Sequence, residues 1–76
     1  MWTTTIGDAN YIEYRIEVKA DGFASVDELV AGKTTCIFAS ATVQPTATFF
    51  PSAVGERICN AINEGREVLG HKLSEA

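Results

Sequence analysis

The sequence predicts an α+β domain in which four antiparallel strands form a meander and a C-terminal helix packs on one face of the sheet. One long segment near the C-terminus repeats apolar residues at three- and four-residue steps, as amphipathic helices do. Before it, short segments rich in β-branched and aromatic residues alternate with turn residues. We place the strands at about 2–6, 11–18, 23–30 and 34–43, the helix at about 52–69 and a fraying tail at 70–76.

The helical segment carries an apolar stripe that we expect to face the sheet. Pro51 and Ser52 suit its first turn, and Gly70 suits its end. Gly65 lies within the stripe and costs about 1 kcal/mol of helix propensity relative to alanine. It is either a tolerated weak position or a point where a strand or an aromatic ring comes close to the helix. The stripe consists of Val54, Ile58, Ala61, Ile62, Gly65 and Leu69.

The second strand has a clear two-residue alternation, which predicts one buried and one exposed face. Asp21 and Gly22 follow it and form a strong hairpin signal. The strand at 34–43 is expected to be the central or best protected one, because its composition is strongly β-forming. In the second strand, Ile12, Tyr14, Ile16 and Val18 share one face, and Tyr11, Glu13, Arg15 and Glu17 share the other.

Two segments have no single interpretation. Residues 23–30 begin like a strand, but the spacing of Ser25 and Glu28 also fits a helix capping box. We favour the strand, because only two or three residues separate this segment from its neighbours. Residues 44–50 match no regular element, although Phe49 and Phe50 suit an apolar plug at the helix entrance.

The composition is that of one small domain, with 76 residues, 46% of them apolar and 21% charged. No apolar run approaches the roughly 18 residues of a membrane span, and the first residues lack the pattern of a secretory signal. We therefore expect a cytoplasmic protein with no membrane contact. Cys36 and Cys59 match neither a zinc nor a redox spacing, so we expect small buried side chains. A disulfide between them would require an oxidising compartment.

The net charge of −4 comes entirely from the N-terminal part of the chain. Residues 1–28 contain six acids and two bases, whereas the remaining residues contain four of each. Direct binding to nucleic acid is disfavoured, because affinity for phosphates requires clustered lysine and arginine. A protein partner with a basic surface fits this charge better.

No residue pattern in the sequence points to catalysis. The single histidine, His71, lies in the tail, and the glycines are too dispersed for a phosphate-binding loop. We interpret Glu13 and Glu17, with Arg15 between them, as a solvated ion-pair face and not as a catalytic carboxylate pair. We therefore expect a non-enzyme with no cofactor and no metal ligand.

An exposed sheet face is the best candidate for a binding surface, although it also fits an ordinary solvated face. Tyr11, Glu13, Arg15 and Glu17 share this face, and Asp27 is expected on the adjacent strand. Aromatic residues flanked by acids suit contact with a lysine- or arginine-rich protein, because tyrosine buries much area at a small entropy cost.

Residues 51–64 read Pro-Ser-Ala-Val-Gly-Glu-Arg-Ile-Cys-Asn-Ala-Ile-Asn-Glu. This segment resembles the C-terminal helix of a small phage anti-CRISPR family that binds the backbone subunits of the type I-F (Csy) surveillance complex. Residues 26–33, Val-Asp-Glu-Leu-Val-Ala-Gly-Lys, are similar to the end of that family's third strand and the turn after it. The resemblance implies a non-catalytic inhibitor that keeps target DNA from pairing with the guide RNA. The matching helix positions are Pro51, Arg57, Ile58, Asn60, Ala61, Asn63 and Glu64.

The resemblance also implies which residues touch the partner. That family uses two tyrosines and one acid on its sheet, and the acid corresponds to Asp27. The tyrosine positions fall near Thr3 and Lys19 here, and residues 44–50 replace the family's short helix before the last one. Other aromatic residues must therefore take the tyrosines' place. The candidate partner-binding residues are Asp27, Tyr11, Tyr14, Glu13, Glu28 and Trp2.

Two other classes stay open. The first is an antitoxin similar to the HicB family, in which a strand such as Tyr-Arg-Ile-Glu-Val, an Asp-Gly turn and a following helix cap a small basic toxin. The Pro-Gly-Cys-like segment usual in that family is absent here, and there is no room for its DNA-binding extension. The second is a phage structural or assembly protein, which would form concentration-dependent oligomers.

Overall fold

The structure is a computed structural model that describes residues 1–8, 11–50 and 53–70. Its four strands pair antiparallel in the order β1-β2-β3-β4, and a C-terminal helix follows them. The predicted α+β fold, a four-stranded meander with a C-terminal helix, is confirmed. The elements are β1 (Trp2–Gly7), β2 (Glu13–Val18), β3 (Ala24–Val30), β4 (Lys33–Ser40), a 3₁₀ turn (Ala47–Phe49) and α1 (Gly55–Val68).

The ambiguous segment at 23–30 is a strand, so the capping-box alternative is wrong. Tight turns on both sides explain why. Before β3, the amide of Gly22 donates to the carbonyl of Lys19 (2.8 Å), and Gly22 has a φ of 90° that favours glycine. After β3, Ala31 and Gly32 both have positive φ (50° and 81°), as a two-residue hairpin turn requires.

β4 is an edge strand, which corrects the expectation that it would be central or best protected. Only β3 pairs with it among the described residues, and most of its side chains are exposed. The register also shifts there, because Cys36 lies opposite Asp27 and Phe38 opposite Val26, leaving Ile37 as an extra residue. Cys36 and Phe38 therefore lie on opposite faces, although residues two apart in a regular strand share a face.

The core lies between α1 and one face of the sheet. α1 packs on β1 and β2, while Phe38, Phe49 and Phe50 form an aromatic cluster, with ring centroids 5.8–6.5 Å apart, beside β4. Phe50 is buried and Phe49 is half exposed, so residues 44–50 do supply an apolar plug. The largest fully buried side chains are Tyr14, Ile16, Ile58, Ile62, Val18 and Val26.

The predicted end of α1 is confirmed, but its predicted start is not. The helix begins at Gly55, later than predicted, and no side chain caps its N-terminus among the described residues. The predicted roles of Pro51 and Ser52 fall outside the described residues. At the other end, Gly70 has a φ of 88°, and its amide donates to the carbonyl of Glu67 (3.0 Å). Gly70 therefore ends the helix as predicted.

Helix and sheet approach each other closely at Gly65. A Cβ at this position would lie 2.8 Å from Cγ2 of Val18 and 2.9 Å from Cδ2 of Trp2. Real Cβ atoms essentially never come this close to other heavy atoms. The second interpretation of Gly65 is confirmed, because both a strand and an aromatic ring occupy the space of its missing side chain.

Arg66 is buried next to Gly65, with 4% of its surface exposed. Its Nε donates to the carbonyl of Gly22 (3.0 Å), Nη2 to that of Ser40 (2.9 Å) and Nη1 to that of Val43 (3.2 Å). Desolvation lowers the pKa of the guanidinium. One side chain of α1 thereby holds the turn after β2 and the chain after β4.

The two cysteines are free thiols in different environments. Cys59 is buried in α1, and burial, followed by the charge of Glu56, raises the pKa of its thiol. Cys36 is exposed on β4, so the expectation that both are buried is wrong for this residue. Over the described ranges, no helix is long and apolar enough to cross a membrane.

We expect Gly65→Ala to lower the free energy of unfolding by about 1–2 kcal/mol. The gain of about 1 kcal/mol in helix propensity is smaller than the overpacking cost against Val18 and Trp2, which we place in the upper half of the usual range of about 1–3 kcal/mol because the added Cβ would lie only 2.8 Å from Val18. Urea denaturation measures the change. Asn60→Ala, at an exposed position of the same helix, is the control and should change stability by less than about 0.5 kcal/mol. A Gly65→Ala variant as stable as the wild type would show that Trp2 and Val18 move aside freely.

We expect Arg66→Met to lower the free energy of unfolding by about 2–4 kcal/mol, because three carbonyls lose a charged donor. Arg57→Met is the matched control on the same helix. Arg57 is exposed and donates one bond, to the carbonyl of Gly7 (3.3 Å), so its loss should cost below about 0.5 kcal/mol. Thermal and urea unfolding compare the two. Equal losses would contradict a special role for Arg66.

Candidate protein-binding surface

The sheet has an inner face that packs against α1 and an outer face on the opposite side. Residues directly opposite each other on neighbouring strands share a face, so the observed register assigns each side chain. Arg15 lies opposite Thr5 on β1 and opposite Asp27 on β3, and Asp27 lies opposite Cys36 on β4. The outer face consists of Thr3, Thr5, Glu13, Arg15, Glu17, Ser25, Asp27, Leu29, Thr34, Cys36 and Ala39.

An ion pair between Arg15 and Asp27 occupies the centre of the outer face. Nη2 of Arg15 donates to Oδ2 of Asp27 over 3.3 Å, and the two side chains are 43% and 23% exposed. A pair this exposed contributes only about 0–1 kcal/mol to stability. Nε of Arg15 is shielded from solvent and has no hydrogen-bond partner among the described residues. The pair therefore fixes the position of Asp27 more than it stabilises the fold.

The outer face is acidic. Glu13 and Glu17 flank Arg15 on β2, so three carboxylates face one guanidinium, a net charge of −2. The surrounding side chains are small or short, such as Thr5 and Ser25. A partner can therefore come close to the charged groups.

A cavity of about 480 Å³ adjoins one end of the outer face, between the β1–β2 and β3–β4 turns. Asp8, Glu13 and Leu29 line it together with Tyr11. Tyr11 is 95% exposed. Its φ of 62° is not that of a strand residue, so its side chain does not follow the in-and-out alternation of β2. The amide of Tyr11 donates to the carbonyl of Asp8 (3.2 Å) and holds this turn. The cavity combines carboxylates with an aromatic ring, the groups that accept a lysine or arginine side chain.

The structure does not bring the six predicted partner-binding residues together. Asp27 and Glu13 lie on the outer face, and Tyr11 lies at its end. Tyr14 is only 1% exposed, and its hydroxyl donates to Oε2 of Glu28 (3.2 Å) on the inner side of the sheet.

Trp2 also lies on the inner side, against Gly65. The reason for this separation is the period of the strand, since neighbouring residues such as Glu13 and Tyr14 point to opposite faces. Tyr14, Glu28 and Trp2 therefore lie on the face opposite to the surface that is centred on Asp27.

Sequence reasoning missed two features of the surface. It placed Arg15 between Glu13 and Glu17, but the observed partner is Asp27, across the hairpin. The Asp21-Gly22 turn signal alone does not predict this partner, because a two-residue turn there aligns Arg15 with Glu28, whereas the observed register pairs Arg15 with Asp27. Leu29, which adds an apolar surface beside Glu13, was also missed.

The described part of the chain holds no group of three or more histidine, cysteine, aspartate or glutamate side chains that could bind a metal ion. Comparisons of the chain with protein-family models, with curated proteins and with solved structures found no match.

Proposed function

We propose that this chain is a non-catalytic inhibitor that binds a basic protein surface through its outer face. The observation that carries the proposal is the Arg15–Asp27 pair, set between Glu13 and Glu17 on a sheet face that α1 leaves free. An acidic face complements a lysine- and arginine-rich partner and speeds its association. Charge of this sign also repels nucleic-acid phosphates, so the partner is a protein and not DNA or RNA.

The resemblance at residues 26–33 and 51–64 supplies the partner's identity in this proposal. It is the backbone subunit of a type I RNA-guided surveillance complex, in the cytoplasm of a bacterial host. A subunit that holds the phosphates of a guide RNA presents lysine and arginine side chains. An inhibitor seated on these side chains prevents target DNA from pairing with the guide.

Asp27 is the central contact in this proposal. Its Oδ2 accepts from Arg15, and an ionised carboxylate has further lone pairs that can accept from a partner's lysine or arginine. Arg15 acts as a positioning residue, because it holds the carboxylate in place before the partner arrives. A contact that removes this charged cluster from water makes the loss of Asp27 costly.

Tyr11 and Glu13 form the second contact, at the cavity end of the outer face. Tyr11 is the tyrosine available to a partner, since the ring of Tyr14 is buried against the core. A basic side chain of the partner enters the cavity between Glu13 and the tyrosine ring. Trp2, Tyr14 and Glu28 stabilise the inner side of the sheet and make no contact with the partner.

Asp27→Lys should weaken binding to a purified type I-F surveillance complex by about 1–3 kcal/mol, roughly a 5- to 150-fold rise in Kd. The substitution removes an acceptor for the partner's basic groups and adds a repelling charge. Native mass spectrometry measures the bound copies, with and without target DNA. Glu64→Lys is the matched control, because it changes the net charge equally at an exposed position on α1.

Each part of the proposal has its own contrary result. Equal Kd values for Asp27→Lys and Glu64→Lys would remove Asp27 from the interface. Failure of the wild-type chain to bind the complex at about 10 μM, a concentration that reveals even transient interfaces, would remove the proposed partner. Co-purification of a small basic toxin instead would favour the antitoxin class.

A further inference from the structure

We infer that β4 is a self-association surface, at which a second copy of this chain adds its own β4 antiparallel to extend the sheet across a two-fold axis. This surface is separate from the outer face, and the inference does not depend on the proposed function. Three observations support it: the open edge of β4, the absence of charged side chains from residue 34 to residue 55, and an apolar groove beside the strand.

The first observation is the free backbone of the edge. Among the described residues, β4 pairs with β3 on one side and with no strand on the other. Proteins commonly guard such an edge with charges, prolines or bulges, because unpaired N–H and C=O groups accept another strand. The guards on β4 are few: Lys33 at its start is its one charged residue, residues 34–40 contain no charge and no proline, and Ile37 is the one extra residue in the pairing with β3. A bulge limits the length of a new ladder, which suits a weak dimer.

The second observation is the charge distribution. Lys33 is followed by 22 residues, 34–55, without a single charged side chain. The acids of the sheet lie on β2 and β3, and none lies on β4 itself. Two identical acidic copies therefore meet at β4 without a carboxylate on either contacting strand. A basic partner, by contrast, gains no charge complementarity there, so a second copy is the occupant that this surface fits.

The third observation is a shallow groove of about 330 Å³ that runs beside β4 and is lined by Ile37, Phe38, Val43 and Phe49. Val43 and Phe49 remain 46% and 47% exposed. A two-fold axis places the same apolar side chains of the second copy against this groove, so the contact is self-complementary and closes at two copies.

Sedimentation equilibrium of the full chain under reducing conditions tests the inference, since a thiol reductant prevents a disulfide between exposed Cys36 side chains. The average mass should rise from 8.2 kDa towards twice that value as the concentration increases from about 5 to about 500 μM, the range of weak interfaces. Val43→Glu should raise the dimer Kd at least tenfold, because both copies then place a charge in the groove.

Val68→Glu is the matched control, because Val68 is 63% exposed on α1, and its dimer Kd should equal that of the wild type. Hydrogen exchange locates the contact: β4 amides should exchange more slowly at high concentration, whereas β1 amides should not change. A single 8.2 kDa species at every concentration would overturn the inference. So would equal Kd values for the two variants, or exchange of β4 that does not depend on concentration.

Discussion

The seating of α1 on β1 and β2 is the constraint on which the rest of the structure depends. Gly65 allows the helix to approach Trp2 and Val18 closely, and Arg66 holds the neighbouring chain through three carbonyls. Close packing and hydrogen bonding thus act at adjacent positions. A buried guanidinium is tolerated because oriented carbonyl dipoles replace the water that it loses.

The position of α1 determines the chemistry of both sheet faces. Two consecutive residue pairs between β2 and β3 show how the two faces differ. Tyr14 and Glu28 lie on the inner side and are occupied with each other, whereas Arg15 and Asp27 lie on the outer side within reach of a partner. Tyr14 and Arg15, which are adjacent in sequence, therefore have separate roles. Of the two adjacent acids on β3, Asp27 faces a partner and Glu28 does not.

The sheet is also asymmetric from edge to edge. Its acidic residues belong to β2 and β3, while residues 34–55, from the second residue of β4 to the first residue of α1, are uncharged. Phe38 and Phe50 cover the inner side near β4 but leave Phe49 half exposed. A chain of only 76 residues can therefore carry two separate surfaces. The proposed partner would bind the acidic outer face, and a second copy would bind the β4 edge.

The sequence by itself determined the fold class and the face of each β2 residue, because helical and strand periodicities are local properties. It could not decide between the two interpretations of Gly65, nor show that Arg66 is buried, because both depend on what α1 packs against. The edge position of β4 and its bulge were also decided by tertiary structure. Composition predicts that a segment is a strand, but only pairing with its neighbours decides whether that strand lies at the centre or at the edge.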